Sequence, residues 1–261
     1  MQAHRLPARR GAFWLAAGFH LFRRNPPLLT ALTLSYLLLV QLGMQLLPSV
    51  SPFILPLALP VLTLIVANGA RLVDRRGPLS KAALLHGVTG NGVALLRLGG
   101  LHLLGAFSLV GVMLLLEGGG MSIGDLEKGD DPELLWTLLK LLALATPLLM
   151  AFMFAPYLTG WDGVPPAKSV FFSFIACWRN WRAMAAYGLA LALVAVAIPG
   201  VVLVIGSMLS KFAGNVVYLV MRMLMVFVLA PALAASLYVG YRDIFHGAPP
   251  AEPAAVAESD E

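Results

Sequence analysis

Apolar residues along the chain fall into six long runs, at Leu28–Leu47, Phe53–Ala70, Leu98–Leu116, Leu141–Gly160, Ala183–Met208 and Met223–Tyr241. A helix rising 1.5 Å per residue needs about 20 such residues to cross roughly 30 Å of hydrocarbon. The runs are apolar on every face, whereas strands of a transmembrane barrel alternate every second residue. The pattern predicts an all-α, polytopic transmembrane helical bundle of six spans. One membrane domain occupies residues 1–245, and a polar, proline-rich tail at 246–261 reads as disordered.

Three further segments carry a shorter, one-sided pattern, each ending in Asn just ahead of an odd-numbered span: Gly11–Asn25, Pro78–Asn91 and Pro166–Asn180. In the third, Val170, Phe171, Phe174, Ile175 and Trp178 make one apolar face, with Ser169, Ser173, Cys177 and Asn180 elsewhere. In the first, Phe13, Trp14, Ala17 and Leu21 make the stripe, while glycines loosen the second. These segments predict interfacial helices along the cytoplasmic surface. Interfacial helix plus transmembrane hairpin is thus a unit used three times, about an axis along the membrane normal.

Composition removes soluble alternatives: 59% of the 261 residues are hydrophobic and 12% charged, too little polar surface to cover a water-soluble core. Charge then orients the bundle. Of 18 Lys and Arg, only Lys128, Lys140, Lys211 and Arg222 fall on the side opposite the termini. The other 14 place both termini in the cytoplasm by the positive-inside rule. The first span is too long for a signal-peptide core, and the pairs Arg9-Arg10 and Arg23-Arg24 read as anchor charges rather than an export signal. The net charge of +5 accordingly points to membrane lipids, not nucleic acid. Arg23, Arg24, Arg75, Arg76, Arg179 and Arg182 are the candidate contacts for anionic headgroups or a partner complex. A second copy of the chain or another membrane protein is the alternative partner.

Candidate chemistry is sparse. His102, Asn68 and Arg222 form the candidate intramembrane polar set, Arg222 being buried if its span begins at Val216. His102, Asn68 and Thr63 read first as hydrogen-bonding residues between helices. Prolines at 52, 56, 60, 147, 156, 199 and 231 predict kinks. Ala232, Ser236 and Gly240 form a small-residue ridge for close packing, with a shorter one at Gly188 and Ala192. The loop from Glu117 to Glu133 holds six of the 13 acids; Asp125, Glu127, Asp130 and Asp131 miss the calcium-loop spacing and read as solvated. The single cysteine, Cys177, excludes an intramolecular disulfide. The five histidines have no metal-ligand spacing, and no nucleophile or zinc-protease motif occurs. No cofactor and no catalytic residue is expected.

The opening Arg9-RGAFWLAAGFHLFRRNP-Pro27, with its echo Cys177-Trp178-Arg179-Asn180, resembles a family of uncharacterised bacterial six-span inner-membrane proteins. The layout is more distantly similar to the membrane domain attached to some glycerophosphodiester phosphodiesterases, although no phosphodiesterase residues are present. The resemblance implies a fold and a location in the inner membrane, not an activity. The expected function is therefore a non-enzymatic accessory protein that contacts lipid or a partner. A small-solute transporter or channel using the kinked spans is the rival, and a lipid-acting membrane enzyme the third class.

Overall fold

The computed structural model describes residues 3–116 and 132–247, and among these the structured elements are helices, with no strand. Six helical stretches are long and apolar enough to cross a membrane: Pro26–Leu46, Ser51–Arg75, Lys81–Leu115, Leu139–Gly160, Trp181–Leu209 and Lys211–His246. The predicted acidic loop up to Asp131 and the tail from residue 248 lie outside the described residues.

The elements run α1 (Arg9–Arg24), α2 (Pro26–Leu46), α3 (Ser51–Arg75), α4 (Lys81–Leu84), α5 (Val88–Leu116), α6 (Pro132–Phe152), α7 (Ala155–Gly160), α8 (Pro166–Arg179), α9 (Trp181–Ala192), α10 (Ile198–Leu209), α11 (Lys211–Leu224) and α12 (Ala230–His246). The three repeat-ending asparagines all stand where helix gives way to helix. Asn25 (φ −152°, ψ 73°), Asn91 (φ −119°, ψ 21°) and Asn180 (φ −109°, ψ 24°) each leave helical geometry. A short amide side chain suits such a break because it can replace the backbone bonds lost there. Asn25 Oδ1 accepts from the backbone N–H of Leu28, Asn91 Nδ2 donates to the Gly160 carbonyl, and Asn180 Nδ2 donates to those of His4 and Ala176. The second copy is broken up, as its glycines predict: its first turn is α4, Gly87 takes φ 79°, and the turn from Val88 runs up to the kink at Asn91 within α5.

The first and third copies are helices, as their patterns predict, and each packs one side against the rest of the protein. On α1 the buried residues are Gly11, Trp14, Gly18, Leu21 and Phe22, while Phe13 is exposed. This face packs against α12 and α9, so α1 is docked on two spans. On α8 the buried residues are Ser169, Ser173, Ala176 and Cys177, and Phe171 and Trp178 point outward. Within the apolar stripe Phe171 and Trp178 are exposed and Val170, Phe174 and Ile175 half-buried, while the small polar stripe faces protein. In hydrocarbon a phenylalanine gains nothing by leaving lipid for protein, whereas small residues let backbones approach and polar ones need partners. Ser173 shows the exchange: its hydroxyl donates to the Met150 carbonyl (2.7 Å) and accepts the N–H of Phe154 (3.0 Å), across the break between α6 and α7.

Proline shapes the remaining spans. Pro56 and Pro60 lie within α3 and Pro147 within α6. Pro199 and Pro231 each follow a widened π turn, Leu193–Ala197 and Met225–Leu229 respectively. A proline cannot donate to the carbonyl four residues back, and the widened turn relieves its clash there. For Pro231 that carbonyl belongs to Phe227, and the Thr30 hydroxyl donates to it at 3.2 Å. The ridge Ala232, Ser236 and Gly240 is buried against α1, with Ser236 and Ala232 facing Gly18 and Gly240 facing Trp14. The shorter ridge is not used in this way: Gly188 and Ala192 are exposed, and α9 buries Ala183 and Tyr187.

Candidate functional site

The ends of α3, α7 and α12 carry a layer of paired charges that joins segments far apart in the chain. Asp243 is fully buried; its Oδ2 accepts from Arg10 Nε at 2.7 Å and from Trp14 Nε1 at 3.0 Å. Its other oxygen lies 3.6 Å from Arg242 Nη2. Arg242 also donates from Nη1 to Asp74 Oδ2 at 2.8 Å, and the Tyr238 hydroxyl donates to the same oxygen at 2.9 Å. Asp162 accepts a hydrogen bond from the Tyr241 hydroxyl and lies 3.9 Å from His246 Nε2. Helical spacing explains why one helix serves all three acids: Tyr238, Tyr241 and Arg242 fall at i, i+3 and i+4 on one face of α12.

An aromatic and amide cluster adjoins this layer. Asn68, buried in α3, donates to the carbonyls of Leu84 and His86 at 2.8 and 2.9 Å and accepts from Trp161 Nε1 at 2.8 Å. Trp161 stacks on Tyr157 with ring centroids 5.1 Å apart, and the Arg71 guanidinium lies 5.0 Å from the Trp161 ring. The N-terminal segment closes over the end of α12: His4 N–H donates to the Ile244 carbonyl, and Leu6 N–H to Asn180 Oδ1, both at 2.8 Å. Each carboxylate thus has a cation or hydroxyl in contact. Pairing of this kind offsets the cost of desolvating the charges and fixes one arrangement of the helices. Among the described residues no group of three His, Cys, Asp or Glu is placed to hold a metal ion.

The candidate arginines sort by position relative to this layer. Arg10, Arg71 and Arg242 are partly covered and engaged, whereas Arg23, Arg24, Arg75, Arg76, Arg179 and Arg182 are all exposed. Arg182 lies over the Trp181 ring at 5.6 Å. Trp178 and Trp181, exposed beside Arg179 and Arg182, add the amphipathic aromatic rings typical of a membrane–water boundary. The six do not form one cluster; they are spread over the ends of α1, α3 and α8 and the start of α9.

The proposed intramembrane set is not brought together. Asn68 belongs to the cluster above. His102 is half-buried on α5, stacked on Phe152 at 4.7 Å where α6 breaks. Arg222 is exposed on α11, inside the continuous helical stretch Lys211–His246, so beginning the helix early does not bury it against protein. Twenty residues separate it from Arg242, about 30 Å along a helix and one hydrocarbon thickness. Cys177 is buried on the protein-facing side of α8, and burial pushes its thiol up to about 12.

Sequence reasoning misses the charged layer, yet a signal for it exists. Each even-numbered span ends in an aspartate shortly after a glycine: Gly69 and Asp74, Gly160 and Asp162, Gly240 and Asp243.

Comparison with known proteins agrees with this architecture. A probable inner membrane protein of Burkholderia thailandensis is 30% identical over 276 aligned positions, covering 100% of both chains. No family model matches the chain, and no solved structure matches it.

Proposed function

Because the chain belongs to the family of that Burkholderia thailandensis inner membrane protein and has six membrane-spanning helices, we propose that it is a non-enzymatic accessory protein of the bacterial inner membrane that gathers anionic lipid around a basic cytoplasmic rim. The observation that carries this reading is the division of the arginines. Arg10 and Arg242 pair with carboxylates and Arg71 lies over Trp161, whereas the six candidate rim arginines are exposed with no carboxylate in contact among the described residues. Each cation beside an anionic leaflet contributes about 1 kcal/mol, so six spread around the rim favour anionic lipid over zwitterionic without a deep site. The excess of Lys and Arg on the side of the termini supports a cytoplasmic position for this rim.

Purification in mild detergent tests it. Changing Arg23, Arg75, Arg179 and Arg182 to Gln lowers the anionic lipid retained per protein, with the total lipid unchanged; an unaltered anionic fraction overturns the reading. The transport alternative draws on the kinked spans. Here the carbonyl freed by Pro231 is already taken by Thr30, and the widened turns border a cavity of about 520 Å³ lined by apolar side chains such as Leu15, Phe19, Pro199 and Met225. Solute flux in proteoliposomes that disappears with Pro56→Ala or His102→Ala would replace the accessory reading.

A further inference from the structure

The junction of α1 and α2 meets the end of α3 around a pocket of about 440 Å³ that the charged layer does not use. Arg24 and Asn25 from the α1–α2 junction and Arg76 from the end of α3 line it, together with Leu28, Leu72 and Leu79. Both guanidiniums are exposed and make no hydrogen bond or ion pair with the protein among the described residues. The Asn25 side chain uses its oxygen to cap α2, which leaves its amide protons to be donated elsewhere. The pocket therefore offers donors and positive charge at its polar edge and leucines beside them.

Arg76 adds an independent sign. The end of α3 closes with Arg76 N–H on the Val73 carbonyl at 3.3 Å and Gly77 N–H on that of Leu72 at 3.0 Å. This is a Schellman turn, whose left-handed residue is usually glycine. Here that residue is Arg76, at φ 52° and ψ 34°, the one non-glycine with positive φ among the described residues. Glycine stands immediately after it, in a position that does not need positive φ. A strained backbone kept at a charged residue marks a side chain wanted in that place.

We propose that this pocket binds the phosphate of one anionic phospholipid, with Arg24 and Arg76 gripping the phosphate from α1 and α3 and the three leucines receiving the glycerol and first acyl carbons. The assignment rests on the lipid-facing reading of the rim and adds to it a single discrete site. Two guanidinium forks match the planar, multidentate recognition of phosphate oxygens that one ammonium cannot supply. A lipid suits the site better than soluble phosphate because the pocket lies between the ends of two membrane-spanning helices and three leucines and a valine are among its eight lining residues.

Native mass spectrometry of the full chain, delipidated and then titrated with phosphatidylglycerol, phosphatidylcholine or inorganic phosphate, tests the proposal. One phosphatidylglycerol per protein is expected to bind at least tenfold more tightly than phosphatidylcholine. Arg24→Gln with Arg76→Gln should abolish that preference, and Arg24→Lys with Arg76→Lys, a variant that keeps the charge, should lose part of it. Arg76→Gly separates binding from folding: it relieves the turn, so the melting temperature holds or rises while the lipid is lost. The rim variant Arg23→Gln/Arg179→Gln/Arg182→Gln should keep the single bound lipid even where it lowers bulk enrichment. A single lipid that survives loss of both Arg24 and Arg76 overturns the pocket but leaves the rim reading standing. Binding of inorganic phosphate in place of the lipid overturns the lipid assignment, and absence of both the bound lipid and bulk enrichment in the wild type overturns both readings.

Discussion

Replacing Gly11 or Gly18 with alanine tests whether α1 is docked on the spans or floats at the surface. A Cβ at Gly11 would stand 1.8 Å from the Ala183 carbonyl oxygen and 3.0 Å from the Tyr187 nitrogen. At Gly18 it would meet Ser236 Cβ at 2.5 Å and the Ala232 carbonyl oxygen at 2.6 Å. Most of these atoms are backbone, so no rotamer change relieves the overlap and α1 must move off α9 and α12. Overpacking costs about 1–3 kcal/mol, with the shorter contact at Gly11 putting that site toward the top of the range. Alanine returns about 1 kcal/mol of helix propensity at either position. The net expectation is a loss of about 2 kcal/mol for Gly11→Ala and about 1 kcal/mol for Gly18→Ala. Gly100 and Gly188, where an added Cβ meets nothing within 4 Å, keep the propensity term alone and should be neutral or stabilised. The assay is unfolding in mixed micelles, followed by tryptophan fluorescence, since Trp14 packs edge-on to Tyr187 at 6.1 Å. A Gly11→Ala protein as stable as Gly188→Ala would refute the docking of α1 on α9 and α12.

Two further outcomes follow from the buried polar groups. Asp243→Ala strips the partner from Arg10 and Trp14; loss of a buried ion pair costs about 3–5 kcal/mol, and the partial exposure of Arg10 brings the expected loss to about 2–3 kcal/mol, read in the same unfolding assay. Cys177, with its thiol pushed up to about 12, should be nearly inert to maleimide at pH 8 in the folded protein. The thiolate fraction is then on the order of 10⁻⁴ against about a quarter for a free cysteine. Because the folded value is raised, reactivity should climb tenfold per pH unit and should appear at once on denaturation; fast labelling of folded protein at pH 8 would contradict the burial of α8.

What can be read in the sequence, and what cannot, divides along the difference between lipid and water. The six spans are legible because length and hydropathy alone determine them, and Asn25, Asn91 and Asn180 are legible as punctuation because helix breaks need local partners. Hydropathy picks out the outward apolar face of α8, with Phe171 and Trp178 on it, but gives no sign that the small polar face of Ser169, Ser173 and Cys177 is the one that meets protein. The same reasoning places Phe13 beside Trp14, although Gly11 and Gly18 determine which side of α1 can approach α9 and α12. The charged layer is invisible to any local reading: Arg10 and Asp243 are 233 residues apart, and only the aspartate that recurs at the end of each even-numbered span hints at it. Asn68 does belong among the hydrogen-bonding residues, but its partners are the carbonyls of Leu84 at the end of α4 and of His86 just beyond it, and Trp161, not a neighbouring span.

Selection of anionic lipid by the exposed arginines is the central claim. Trp178 and Trp181 sit exposed among them, so their fluorescence reports which lipids occupy the rim. Quenching by phosphatidylglycerol with brominated acyl chains, compared with brominated phosphatidylcholine in otherwise identical bilayers, measures that selection directly. The expected result is stronger quenching by the anionic lipid at equal mole fraction, reduced by high salt and removed when the six rim arginines are changed to Gln. Equal quenching by the two lipids at low salt would contradict it.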